Sequence, residues 1–203
     1  MKLNYQSLVK LEKLKLVMIS FFFINIGCNN NITTDDDIYV AVNQTIVELE
    51  GETWRNDGSP SYSYLLDQPS NNITFMTDVN EIFKNETINK EFNDRDKKEF
   101  IKQLDNFSDF VYNQNRIISK KIIPLSDFEK LFGDKNYFWE NYSSKYGSTG
   151  YYSISLPLFS YNKEKLLVVV ETCGFELDCN GIICLFEKKQ GKWKLNKVLY
   201  NMT

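Results

Sequence analysis

Residues 165–200 read KLLVVVETCGFELDCNGIICLFEKKQGKWKLNKVLY, three apolar runs parted by two turn signals. The runs 165–173, 182–189 and 192–200 have the length and β-branched content of strands. The dipeptide Gln190-Gly191 is a two-residue hairpin turn, and a turn of known length fixes a register. It sets Trp193 opposite Lys188, Leu195 opposite Phe186, Lys197 opposite Cys184 and Leu199 opposite Ile182. One face then carries Ile182, Cys184, Phe186, Trp193, Leu195 and Leu199, a core face with the Lys188 and Lys197 heads at its edge. The run Leu166–Val170 is apolar on both sides, as a central strand requires.

Working outward, 151–157 is a further strand, joined through a turn at Ser160–Glu164. Upstream the spacing becomes helical. Ile38, Val42, Ile46 and Leu49 predict a helix over 38–50, with Asp37 as N-cap and Gly51 as stop. Phe100, Leu104, Phe107 and Val111 predict another over about 94–112, capped by Asn93 or Asp94. Ser126-Asp127-Phe128-Glu129 reads as a capping box opening a short helix to Phe132. A last helix near 136–145 carries Phe138, Trp139 and Tyr142 before Gly147. Residues 51–61 read as loop, with short strands at Tyr62–Leu66 and Ile73–Met76 around the turn Asp67–Ser70. The expected fold is α+β, with N-terminal helices packed on a C-terminal antiparallel β-meander in a single domain over 38–203.

The first residues belong to another class. Lys2, Lys10, Lys13 and Lys15 precede an eleven-residue apolar run, Leu16–Ile26, which ends at Gly27-Cys28. As a helix that run spans about 16 Å, well short of the roughly 30 Å bilayer core. It has the basic flank and length of a signal-peptide core. The segment resembles the signal of bacterial lipoproteins, although Asn25 stands where leucine is commonest. The resemblance implies a signal peptide over 1–27 and acylation of Cys28, with several chains such as palmitate. It implies a membrane-anchored protein of the cell envelope, on the outer membrane. Residues 28–37, rich in Asn and Asp, then form a polar tether. Asp35, Asp36 and Asp37 fit linker and helix cap better than a calcium loop, whose spacing they lack.

The stretch 144–195 resembles a group of uncharacterised bacterial lipoproteins. Shared features are Tyr146-Gly147, the strand Ser153-Ile154-Ser155, Cys173-Gly174, Cys179 with Gly181, and a closing Lys-x-Gly-Lys-Trp-Lys at Lys189–Lys194. The resemblance covers about a quarter of the chain and implies no activity.

Composition narrows the chemistry. The chain has no histidine, which removes Ser-His-Asp and Cys-His catalysis and imidazole metal sites. The net charge is −3. With a net +3 in residues 1–27, the remainder holds −6, the wrong sign for nucleic acid. Beyond Cys28, three cysteines remain, one pair and one free thiol. Cys173–Cys179 is the favoured pair, with Cys184 in the core. Cys173–Cys184 is its rival if the loop centres on Asp178-Cys179. The trio does not make a zinc site, which wants four ligands, and no cofactor is expected.

Tyr137, Phe138, Trp139, Tyr142, Tyr146, Tyr151 and Tyr152 cluster in sequence. Trp139, Tyr142, Tyr146 and Tyr151 are the candidate stacking surface for a sugar or peptide, against the reading that they fill a helix–sheet interface. Paired carboxylates remain the route to a hydrolase, with Glu171 the first to inspect. Seven Asn-x-Ser/Thr sequons, at Asn31, Asn43, Asn72, Asn85, Asn106, Asn141 and Asn201, would suit a secreted glycoprotein. Asparagine richness inflates that count, and some of them fall inside predicted helices. The expected function is an exported, lipid-anchored binding or structural module whose partner is an envelope protein or a glycan. The alternatives are an envelope hydrolase or a glycoprotein.

Overall fold

In the computed structural model the run at 165–174 is the central strand of a seven-stranded sheet. The structure describes residues 32–51, 62–69, 82–133, 137–174 and 179–202. In chain order the strands are β1 (Tyr64–Leu66), β2 (Lys121–Ile123), β3 (Gly150–Ile154), β4 (Leu158–Phe159), β5 (Lys165–Gly174), β6 (Cys179–Lys189) and β7 (Lys192–Met202). The helices are α1 (Asp35–Glu50), α2 (Glu86–Asn89), α3 (Asp94–Asn106), α4 (Leu125–Phe132) and α5 (Phe138–Tyr146). The α+β class holds, and β5, β6 and β7 form the antiparallel meander.

The hairpin turn is where the sequence places it. Gln190 and Gly191 both take positive φ, 52° and 78°, the pair of left-handed residues whose twist matches flanking strands. Trp193 faces Lys188 and Leu195 faces Phe186 as expected. Beyond them the register slips twice. Lys197 faces Leu185 instead of Cys184, and Ile182 faces Asn201 instead of Leu199. Asn196 and Leu199 are the extra residues of two β-bulges in β7. Bulges bend and twist an edge strand and blunt its tendency to recruit another chain.

The sheet order is β2-β1-β3-β5-β6-β7, with β4 paired to β5. β1 pairs in parallel with both β2 and β3, so the sheet is mixed and extends beyond the expected meander. Alternation along these strands divides the core. Leu65, Ile122, Tyr152 and Ile154 face the larger cluster with α1, α3 and the apolar run of β5. Tyr64, Leu66, Ile123, Tyr151 and Cys173 face a second cluster under α4 and α5. Helices therefore cover both faces of this end of the sheet.

Element ends also differ from expectation. α1 begins at Asp35 because Thr34 is the N-cap, with its hydroxyl and the Asp37 carboxylate closing a capping box. Asp37 is thus the third helical residue, and the tether expected over 28–37 gives way to the folded domain by Thr33, which is already buried. α3 stops at Asn106 rather than 112. Phe100 is buried and Leu104 and Phe107 pack on the core, but Val111 lies past the helix and is exposed. Asn93 caps α3 with Asp96 in a second capping box. The Ser126 box does not form. Pro124 takes the N-cap position with no side-chain bond, and the Leu125 N–H donates to Asp67 Oδ1 at 2.8 Å instead. The segment Ile73–Met76 lies outside the described residues.

Side chains close the sheet edges. Gln44 and Glu48 of α1 accept from the Trp193 and Leu195 N–H groups of β7. Gln114 accepts from Ile122 N–H of β2 at 2.7 Å and donates to the carbonyl of Lys120, just before that strand, at 3.0 Å. Such partners remove the unpaired backbone groups that make an edge adhesive.

Candidate functional site

Cys28 and the sequon residues Asn31 and Asn72 lie outside the described residues. Cys173 and Cys179 are direct partners across β5 and β6 and form the disulfide. Cys184, further along β6 opposite Val168, is free and buried. Burial pushes its thiol up to about 12, so at neutral pH it behaves as an apolar group.

The aromatic candidates do not form a stacking surface. Tyr142 is fully buried, Trp139 and Tyr151 are buried, and Tyr146 is half-buried against the same cluster. Their rings pack on one another: Tyr142 lies 5.5 Å from Trp139, 5.1 Å from Tyr146 and 5.8 Å from Tyr151. The Tyr142 hydroxyl donates to Gly150 O at 3.1 Å. Burial pushes the Tyr142 and Tyr151 phenols well above their ordinary range, so both stay neutral. These side chains fill the interface between α5 and β3. A ligand would have to displace core packing to reach their faces. Glu171 is half-buried on β5 opposite Gly181.

The described residues do enclose a cleft that sequence spacing did not reveal. It holds about 560 Å³ between the start of α3, the β4–β5 turn and the end of β6, and Glu91, Arg95, Asp96, Glu164, Lys165 and Glu187 are among its lining residues. Four carboxylates and four basic side chains balance there, counting Lys188 and Lys189. The carboxylates are occupied. Glu91 receives Lys165 at 3.0 Å and Lys197 at 2.5 Å, which hold its carboxyl below the ordinary range. Asp96 accepts from the N–H groups of Tyr161 at 2.8 Å and Asn93 at 2.9 Å. Glu164 accepts from Asn162 and Glu187 from Asn196. The Arg95 guanidinium lies 3.3 Å over the Tyr161 ring. Such a wall can hydrogen-bond a neutral, polar ligand. For acid–base work a carboxyl would first have to leave its partners. Only the tertiary fold gathers these residues, which come from three separate segments, 91–96, 160–165 and 187–189.

Among the described residues no three His, Cys, Asp or Glu side chains converge as a metal site, and no described helix is long and apolar enough to cross a membrane. Comparison with protein-family models, curated proteins and solved structures finds no match to this chain.

Among the described residues, the side chains of two sequon asparagines are engaged in the fold. Asn43 donates to Arg116 O at 2.8 Å and accepts from Ile118 N–H at 3.0 Å. Asn85 caps α2 through its carbonyl oxygen.

Proposed function

We propose that this chain is an exported, lipid-anchored protein of the cell envelope, on the outer membrane, whose folded part is a binding or structural module for an envelope protein or glycan. The observation that carries the reading is the lysine-rich lead, the short apolar run and Gly27-Cys28 in that order. A disulfide in the folded part supports it, because such bonds persist mainly in oxidising compartments outside the cytosol. The occupied carboxylates of the cleft favour binding over hydrolysis. The consumption of the Asn43 amide weighs against glycosylation at that sequon.

The test is acylation. Expressed in a bacterial host given labelled fatty acid, the chain is expected to carry label, and Cys28→Ser to carry none. Equal labelling of the two proteins would overturn the proposal. Crosslinking in intact envelopes then identifies the partner.

A further inference from the structure

A surface helix normally turns charged and polar side chains to water. α1 does not. Beyond its first turn, its only exposed residues are Val40 and Val47, at 49% and 63%. They are seven positions apart, so they lie on one stripe about 10 Å long. Between them sits Asn43, whose side chain holds the backbone of residues 116–118. That contact sets Ile118, 86% exposed, beside the stripe. The charges around it are spent inside the chain: Arg116 pairs with Asp36, and Lys120 with Glu50. The result is an apolar, locally neutral face built from two separate segments.

We infer that this face, Val40, Val47 and Ile118, rests on the lipid bilayer that holds the acylated Cys28; the inference depends on the acylation proposed above. The length of chain before the domain argues for lipid as occupant. Because α1 is capped at Thr34 and Thr33 is buried, the folded domain begins only five residue steps after Cys28. Five residue steps reach at most about 18 Å, against about 32 Å for the tether expected from sequence. An acyl anchor that close keeps the N-terminal end of α1 within about 18 Å of the membrane surface. Three exposed apolar side chains bind a bilayer weakly alone, but tethering turns their contact into an intramolecular event at high effective concentration.

The test uses the full chain in phosphatidylethanolamine–phosphatidylglycerol vesicles carrying a diazirine phospholipid, with crosslinked peptides mapped by mass spectrometry. Crosslinks are expected within 38–50 and at 117–118. The double variant Val47→Glu, Ile118→Glu changes only exposed positions and should fold, yet its crosslinks there should fall about tenfold, with acylation unchanged. An acylated chain crosslinked only within 28–32 overturns this inference and leaves the anchor standing. A chain that takes up no acyl group overturns both. Crosslinks from the face to a protein instead of lipid, in intact envelopes, would also overturn it and assign the face to that protein.

Discussion

The Gln103 side chain binds the Phe159 backbone on both its polar groups. Nε2 donates to the carbonyl at 2.8 Å, and the Phe159 N–H donates to Oε1 at 2.9 Å. Both residues are buried, at 2% and 1% exposure. β4 pairs with β5 on its other side, so the amide of α3 stands in for a missing strand and ties the helix to the sheet. Gln103→Leu keeps an apolar stem but leaves two buried backbone groups unpaired, at about 1–3 kcal/mol each. Urea unfolding is expected to show a loss of about 2–4 kcal/mol. A variant as stable as the parent would mean that water satisfies Phe159 instead.

The Cys173–Cys179 bridge closes a loop with a sequence separation of 6. A loop that short restricts the unfolded chain modestly, for about 2 kcal/mol. Reduction should lower the thermal midpoint without abolishing folding. Cys184 should react with iodoacetamide only after denaturation, since burial raises its thiol to about 12. Non-reducing peptide mapping checks both, and a Cys173–Cys184 peptide would refute the pairing.

Acid should weaken the fold through two carboxylates. Partial burial works to raise the Asp37 carboxyl, but hydrogen bonds from Lys163 and from the Thr34 backbone and hydroxyl outweigh it, and its pKa lies below the ordinary 3.8. Hydrogen bonds from Lys197 and Lys165 hold Glu91 below its ordinary 4.5. Groups depressed by folding contribute fully above their unfolded values and lose that contribution as pH falls through the folded ones. Stability from these two should be flat from pH 7 to about 5 and decline below about 4. Glu91→Gln should be less stable at pH 7 and show a shallower decline in acid. Midpoints measured from pH 7 to 2 decide it, and equal slopes for parent and variant would contradict the ion-pair account.

Gly150 is required by closeness. A Cβ there would meet Tyr62 Cε1 at 2.3 Å and Cys173 O at 2.4 Å, and the second contact is backbone that cannot swing aside. Gly150→Ala should cost about 1–3 kcal/mol by overpacking. At Gly191, with φ +78° and open space around it, alanine meets only backbone strain, about 1–2 kcal/mol. Adding Tyr62→Leu should not rescue Gly150→Ala. Full rescue, measured by denaturant unfolding, would show that the ring and not the Cys173 carbonyl sets the limit.

Local patterns in the sequence were enough for the hairpin, the central strand, the α5 stop at Gly147 and the favoured disulfide. Each depends on neighbours within about ten positions: a two-residue turn, an alternation or a two-sided apolar run, and cysteines flanking one loop. The same logic located α1 and α3 but misplaced one end of each: Thr34 rather than Asp37 caps α1, and α3 stops at Asn106 although apolar residues continue at helical spacing to Val111, because spacing alone chooses neither the cap nor the last turn. It also supplied the lysine lead, Gly27-Cys28 and the absence of histidine, which limit address and chemistry without naming a ligand.

The remaining features join residues far apart in the chain. Asp67 caps α4 at Leu125, Gln103 completes β4, and β1 lies parallel between β2 and β3. A helix cap needs only an acceptor at the right point in space, and an edge strand only some partner for its N–H groups. Neither need leaves a periodicity to read. The aromatic cluster at 137–152 shows the same limit, since a ring suits a ligand face and a core interface equally well. Folding of α4 and α5 over β3 buried Trp139, Tyr142 and Tyr151 and left Val40, Val47 and Ile118 exposed, because only the packed chain determines which apolar surfaces are covered.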